Sequence, residues 1–442
     1  MKKRNHQFIT TFSSLALATL MLSACGGNDS KTDESAAQGS GKDEKVKITL
    51  MSNTYTESPE GPEEEKMAEA YMKDHPNVTI EFMGVPTNDY MQQLVTLATA
   101  GNLPDAFALN PTWGLKAQEM GVTEDLNNLL TDEDKEVFYD YALDEATIND
   151  EMVYLNWFLT PPALIYRTDW FEEKDLTPPE TWEDFRKVAK ELTEDTDGDG
   201  KVDRWGFGML GMRNESAASR FFYIMRTFGV ELLKEENGKW TTDVGSDKFK
   251  ECLQMFTDFS LKDGIVPPGV TEMGYPEVAQ QFASEQVATM VTGPNAIGTA
   301  INQNENLEGK IGSIPIPKDV QHTTVLTGQG YGINKDSKHK EVVLDYLKFM
   351  TNYDNSLNWN EVTGRVPTRK DVGESQQLTT PAMKGFVDAL EYNNNRPEHP
   401  GLSEAFDAMG EAYQAVLSGD SSVDEASEMA QQKVEEIIAN YE

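Results

Sequence analysis

Four aspartates fall within nine residues, Asp195, Asp197, Asp199 and Asp203, interleaved with Gly198, Gly200 and Lys201. Acidic oxygens at loop positions 1, 3, 5 and 9, a glycine at 6 and the backbone carbonyl of Lys201 at 7 match the oxygen cage that a hard Ca²⁺ ion takes. The glutamate that closes a full EF-hand at position 12 is missing, because Gly206 stands there. The expectation is a structural Ca²⁺ that stiffens a surface loop without catalysing. The plain alternative is a solvated acidic turn.

A second set of side chains suits a polyhydroxylated ring. Trp113 follows Asn110 by three positions, Trp157 follows Asn156 directly, and Tyr55, Tyr331 and Trp359 add further rings. A flat aromatic face suits the apolar C–H side of a pyranose, while planar amides, carboxylates or guanidinium groups suit its hydroxyls. Arg213 and Arg365 could grip hydroxyls, or a uronate carboxylate, through two parallel bonds. Core packing and surface ion pairs are the competing fates of these rings and arginines.

Other chemistries have little to stand on. There is no CxxC, no HExxH, and only five scattered histidines. The run Gly328-Gln329-Gly330-Tyr331-Gly332 lacks the last glycine of a dinucleotide loop, since Ile333 occupies that place. A strand entering close to a ligand or a neighbouring lobe explains it better. No G-x-S-x-G nucleophile motif occurs.

The elements that would position these residues alternate between strand and helix. Val46–Ser52 reads as a strand, Pro62–Asp74 as a helix with Glu63, Glu64 and Glu65 near its positive end, and 77–85 as a second strand. A helix over Asp89–Ala100 and a strand over Asp105–Asn110 complete a βαβαβ unit, which predicts a parallel sheet covered by helices. Ligands collect beyond the carboxyl ends of such strands, where Asn53-Thr54-Tyr55 and Asn110 to Trp113 fall. A second α/β region begins after Thr160-Pro161-Pro162, with a strand at Ala163–Tyr166 and a helix opened by Thr181 and Asp184. Helices are also expected at Asp247–Phe259, Glu277–Ser284, His339–Thr351 and from about Val423.

The chain opens with Lys2, Lys3 and Arg4, then an apolar run from Phe12, then Leu22-Ser23-Ala24-Cys25. That layout is a secretory signal, and the cysteine makes it resemble a bacterial lipoprotein signal, with lipid carried on Cys25. Gly26 to Glu44 has the composition of a flexible tether. The expected location is the extracytoplasmic face of a cell membrane, reached through the lipid anchor. The formal charge of −37 would deepen by three on losing the signal, and such a surface excludes nucleic acid as a partner. With Cys25 acylated, Cys252 has no disulfide partner and reads as a buried small hydrophobe.

The pieces AGNLPDAFALN (100–110), TPPETWEDFRKVAKELT (177–193), TGPNAIG (292–298), IGSIPIPKD (311–319), GQGYGINKDSKHKE (328–341) and GRVPTRKDV (364–372) occur in this order. In that order the chain resembles extracellular solute-binding protein family 1, which includes maltose-binding protein and serves sugar-importing ABC transporters. The resemblance implies a two-lobed periplasmic-binding-protein-like α/β fold of type II, each lobe a mostly parallel sheet flanked by helices. It implies lobes of 45–160 plus 318–365 and of 161–317 plus 366–442, with crossovers near Thr160 to Ala163, Ile314 to Lys318 and Thr363 to Val366. A carbohydrate would sit in the cleft and pass to permease subunits, and the carrier would be a monomer and not an enzyme. Where maltose-binding protein follows its Gly-Pro turn with a stacking tryptophan, Gly293-Pro294 is followed here by Asn295. An amide there makes Asn295 a hydrogen-bonding candidate. A non-sugar solute such as a peptide, polyamine or phosphodiester is the alternative cargo, and a glycoside hydrolase, needing paired carboxylates, the alternative activity.

Overall fold

The structure, a computed structural model, describes residues 45–441 apart from 377, 395, 396 and 398. The signal, Cys25 and the tether lie outside the described residues. The βαβαβ unit is present: β1 (Val46–Ser52) runs parallel to both β2 (Val78–Gly84) and β3 (Ala106–Leu109). All four residues of β3 are buried, as expected of a strand covered on both faces. Helices Glu60–Asp74 and Thr87–Thr99 make the two connections, each starting two residues earlier than its spacing predicts.

Besides two short two-stranded ribbons, six more strands complete the two main sheets: β4 (Leu155–Leu159), β5 (Ala163–Arg167), β6 (Thr289–Thr292), β7 (Ile311–Ile314), β8 (Gly328–Ile333) and β9 (Val366–Pro367). They form a six-stranded sheet in the order β9-β4-β8-β3-β1-β2 and a three-stranded sheet in the order β6-β5-β7. Each sheet has its own core. Leu50, Tyr90, Phe107 and Trp157 pack in the first, and Ile165, Phe185, Phe221 and Phe406 in the second.

The second sheet departs from the expected parallel arrangement, since β6 and β7 both run antiparallel to β5. Direction follows from where each strand meets the other lobe. β5 begins there, straight after Pro162, whereas β6 ends toward Asn295 and β7 leads out to the return crossing. The same logic makes β8 antiparallel to β3 and β4.

The first crossing lies at Thr160 to Pro162, with Phe158 in one core and Leu159 in the other. The second falls later than Ile314 to Lys318, because Ile316, Val325 and Leu326 still pack in the second core and Tyr331 is the first residue back in the first. The third begins at the expected Thr363 to Val366, where Val366 already packs in the second core, and is completed later. β9 pairs with β4, and Gly373 lies against Tyr139, so the chain stays with the six-stranded sheet through Gly373 before Met383 and Phe386 join the second core.

Local signals hold where they are sharp. Thr181 caps helix Trp182–Glu191 by accepting from the Asp184 N–H, and Ser246 does the same for Asp247–Leu261. Cys252 is fully buried on that second helix, and burial pushes its thiol well up. Among the described residues, no helix is long and apolar enough to cross a membrane.

Candidate functional site

Strand ends from both lobes converge on a recess of about 260 Å³. The β1 end supplies Asn53, Thr54 and Glu57, and the β3 end supplies Asn110. The β4 end gives Phe158 and Thr160, and the entry of β8 gives Thr327, Gly328 and Gln329. Arg365 comes from just before β9, and Asn295 from the first turn of helix Asn295–Gln303 in the second lobe. The carboxyl ends of β1, β3, β4 and β6 thus meet the amino end of β8, the place where α/β sheets receive ligands.

The walls are amides and hydroxyls held in fixed positions. Asn110 caps helix Pro111–Glu119, its Oδ1 accepting from the Trp113 N–H at 2.9 Å. The Asn53 amide donates to Thr87 Oγ1 at 3.2 Å, and that hydroxyl faces Glu57 Oε1 at 3.4 Å. The Thr160 hydroxyl donates to the Thr327 carbonyl at 2.6 Å, tying two crossings together. Three buried polar atoms of lining residues lack a protein partner: Asn53 Oδ1, Gln329 Nε2 and Arg365 Nε. Such orphans are rare in native structures, and a polyhydroxylated ligand offers both donors and acceptors to satisfy them.

Among the described residues, Arg365 is the one cationic side chain in the lining. Its guanidinium lies 4.9 Å over the Phe158 ring and pairs with Glu60 at 2.9 Å and Glu57 at 3.7 Å. Burial holds the Glu57 carboxyl above its ordinary value, with Arg365 opposing and the like charge of Glu60 adding to it. Two more carboxyls stand directly behind the walls. Glu64 accepts from the hydroxyls of Thr54 and Tyr331, and Glu145 accepts from the Gly328 N–H at 2.6 Å. Burial pushes each up to about 7, against these hydrogen bonds.

Of the residues singled out in the sequence, Asn110, Asn295 and Arg365 are brought together at the recess. The others lie elsewhere. Trp157 and Trp359 stack on each other at 3.8 Å, 1% and 0% exposed, and present no face to the recess. Tyr331 is buried with its hydroxyl on Glu64 Oε2 at 2.7 Å. Asn156 is buried and gives its amide to Glu145 at 2.9 Å. Trp113 stacks on Tyr90 at 4.4 Å and Tyr55 on Phe82 at 4.7 Å, each half-buried and outside the lining. Arg213 gives its fork to Asp407 at 2.8 and 2.6 Å and reaches Glu411 at 2.9 Å, a surface ion-pair cluster in the second lobe.

The lining residues not singled out had partial signals. Asn53 and Thr54 sit at a strand end next to Tyr55. The glycines of 328–332 mark close approach, since a Cβ on Gly328 would lie 2.3 Å from Glu145 Oε2 and one on Gly330 would lie 1.8 Å from the Leu155 carbonyl. Glu57, Phe158 and Thr160 carry no local pattern.

In the acidic loop, carboxylate oxygens of Asp195, Asp197 and Asp203 lie within 4.8 Å of one another. Two ligands at ordinary Ca²⁺–oxygen distances span about that much, so these three fit one ion. Gly198 and Gly200, at φ 77° and 88°, turn the backbone so that Gly198, Asp199 and Gly200 donate N–H groups to Asp195, which holds its carboxyl below the usual range. Asp199 stands apart from the trio, its carboxylate 3.6 Å from Lys201 Nζ.

The model of the bacterial extracellular solute-binding protein family matches residues 55–356. The chain belongs to that family. It is 23% identical to the galactooligosaccharide-binding protein of Bacillus subtilis, over 96% of this chain and 97% of that one. It is 24% identical to lipoprotein LipO of the same organism, over 88% and 78%. The maltose-bound MalE3 of T. maritima superposes with a TM-score of 0.74 at 24% identity, covering 89% of this solute-binding protein and all of MalE3. The fold is therefore the type II periplasmic-binding-protein arrangement.

Proposed function

We propose that this solute-binding protein captures a carbohydrate in the recess between its lobes and delivers it to the permease subunits of an ABC importer. The observation that carries the reading is the lining itself, where amides and hydroxyls from both lobes surround buried Asn53, Gln329 and Arg365 atoms that lack protein partners. A ring rich in hydroxyls satisfies such atoms without a change of charge. Relatives named for galactooligosaccharide and maltose support it. Family membership favours binding over hydrolysis. A lipid on Cys25 would hold the carrier at the outer face of the membrane, and the LipO relative supports that anchor.

The test is a thermal-shift screen over mono- and oligosaccharides, peptides and polyamines. A ligand present at a hundred times its Kd should add about 2.7 kcal/mol of stability. A shift with oligosaccharides and none with the other classes supports the reading, and the reverse pattern overturns it.

The Asp195, Asp197 and Asp203 trio would hold a structural Ca²⁺, with Lys201 adding its backbone carbonyl. The ion would neutralise three carboxylates that otherwise repel one another. Chelation with EGTA should then lower Tm by several degrees, and added Ca²⁺ should restore it. A melting curve unchanged by either treatment would reduce the loop to a hydrogen-bonded acidic turn.

A further inference from the structure

The charge around the recess is lopsided. Among the described residues Arg365 is the single cation of the lining, and its guanidinium is already shared between Glu60, which is 5% exposed, and Glu57, which is 41% exposed and lines the recess itself. Behind the walls, Glu64 touches Thr54 and Glu145 touches Gly328. Two carboxyls, Glu57 and Glu60, therefore flank the guanidinium, and two more, Glu64 and Glu145, stand behind other parts of the wall. Two helix starts, Pro111–Glu119 and Asn295–Gln303, point toward the site, and each counts for roughly half a positive charge. They do not offset the surplus once the carboxyls are ionised.

We infer that the recess selects uncharged glycans and rejects uronates, and that Glu57 is the residue that sets this choice. The inference deepens the carbohydrate reading above and rests on it. A uronate carboxylate seeks a free bidentate fork, but Nη2 of Arg365, the nitrogen shared by both two-pronged edges of the guanidinium, already donates to Glu60 and lies 3.7 Å from Glu57, while Nε has no partner. An incoming anion would meet two like charges at the only cation available. A neutral sugar meets the opposite situation, because its hydroxyls donate to the Glu57 carboxylate in charge-assisted bonds stronger than those between neutral groups. Glu60 contributes by holding Arg365 in place and does not line the recess.

The test is calorimetric titration of the full chain at about pH 8 and low salt, where the carboxyls are ionised. The probes are galactose oligomers and galacturonate oligomers of the same linkage and length, a matched glucose and glucuronate pair, and spermidine. The neutral member of a pair should bind at least about 30-fold more tightly, as a partly screened like-charge contact implies. Glu57→Gln should raise uronate affinity and narrow the ratio by about tenfold, and 0.5 M NaCl should narrow the wild-type ratio through screening. Uronates that bind as well as their neutral partners, or a ratio indifferent to both Glu57→Gln and salt, would overturn the charge selection and leave the carbohydrate reading standing. Spermidine binding with no heat from any sugar would overturn both.

Discussion

Replacing Trp157 by alanine should destabilise the protein by about 3–5 kcal/mol, the usual cost of deleting a buried tryptophan ring. The ring is 1% exposed, stacks on Trp359 at 3.8 Å with a 27° tilt between planes, and packs beside Phe158 and Tyr331. Its loss leaves a hole that neighbouring strands cannot fill by collapsing, because β4 is flanked by β8 and β9 on its two edges. The stacked pair adds about 0.5–1.5 kcal/mol beyond area burial. Urea denaturation checks this. A variant with wild-type stability and lost sugar affinity would instead give Trp157 the ligand-stacking role its sequence position suggested.

Stability should fall as pH rises from about 5 to about 8, and Glu64→Gln should remove a large part of that slope. Glu64 is fully buried from solvent, with its oxygens on Ser52 Oγ at 3.0 Å, on Thr54, and on Tyr331 at 2.7 Å. Burial dominates and lifts it from 4.5 to about 7, and the like charge of Glu60 on the same helix adds to the rise. Tyr331, Tyr90 and Tyr346 face it from other elements and stay neutral in this window, their own values raised by burial.

A carboxyl raised on folding binds more protons in the native state than in the unfolded one. Its contribution is therefore complete below the unfolded value and is lost as pH climbs through about 7. The shift corresponds to on the order of 3 kcal/mol, and Glu145, also lifted to about 7 by burial, acts in the same direction. Carboxylates held low by their partners, such as Asp263 beneath Arg186 and Lys190, lose stability only at more acidic pH. Denaturation at pH 5 and pH 8 decides it. Glu64→Gln should be the more stable protein at pH 8 and the less stable at pH 5, and parallel curves for the two proteins would contradict the assignment.

Much of the first lobe was legible because β3 is a continuous apolar run buried at every residue, and the apolar positions of β1 and β2 are separated by segments of clear helical spacing. The recess was only partly legible. Asn110 stood out because it is an amide at the end of an apolar strand, three positions before Trp113, and the structure adds that it caps the next helix. Trp157 and Asn156 misled because every residue of Leu155–Leu159 is buried, so an aromatic next to an amide there faces core on either side. The run Glu63-Glu64-Glu65 looked like a solvated helix start, yet the helical turn points Glu65 outward and Glu64 into the core. The second crossing lies later than the Ile314 to Lys318 that the resemblance implies, because the chain after Pro317 keeps packing in the second core through Leu326 before it returns.

The central claim is that the strand-end recess holds a carbohydrate. Calorimetric titration of the best oligosaccharide from the screen into wild type, Asn295→Ala and Asn110→Ser tests it most directly, since serine keeps the helix-capping oxygen while removing the amide. Saturable heat at one site per chain is expected in the wild type, with affinity lowered about tenfold or more in each variant. Saturable heat that both variants leave unchanged would place the ligand elsewhere and contradict the claim.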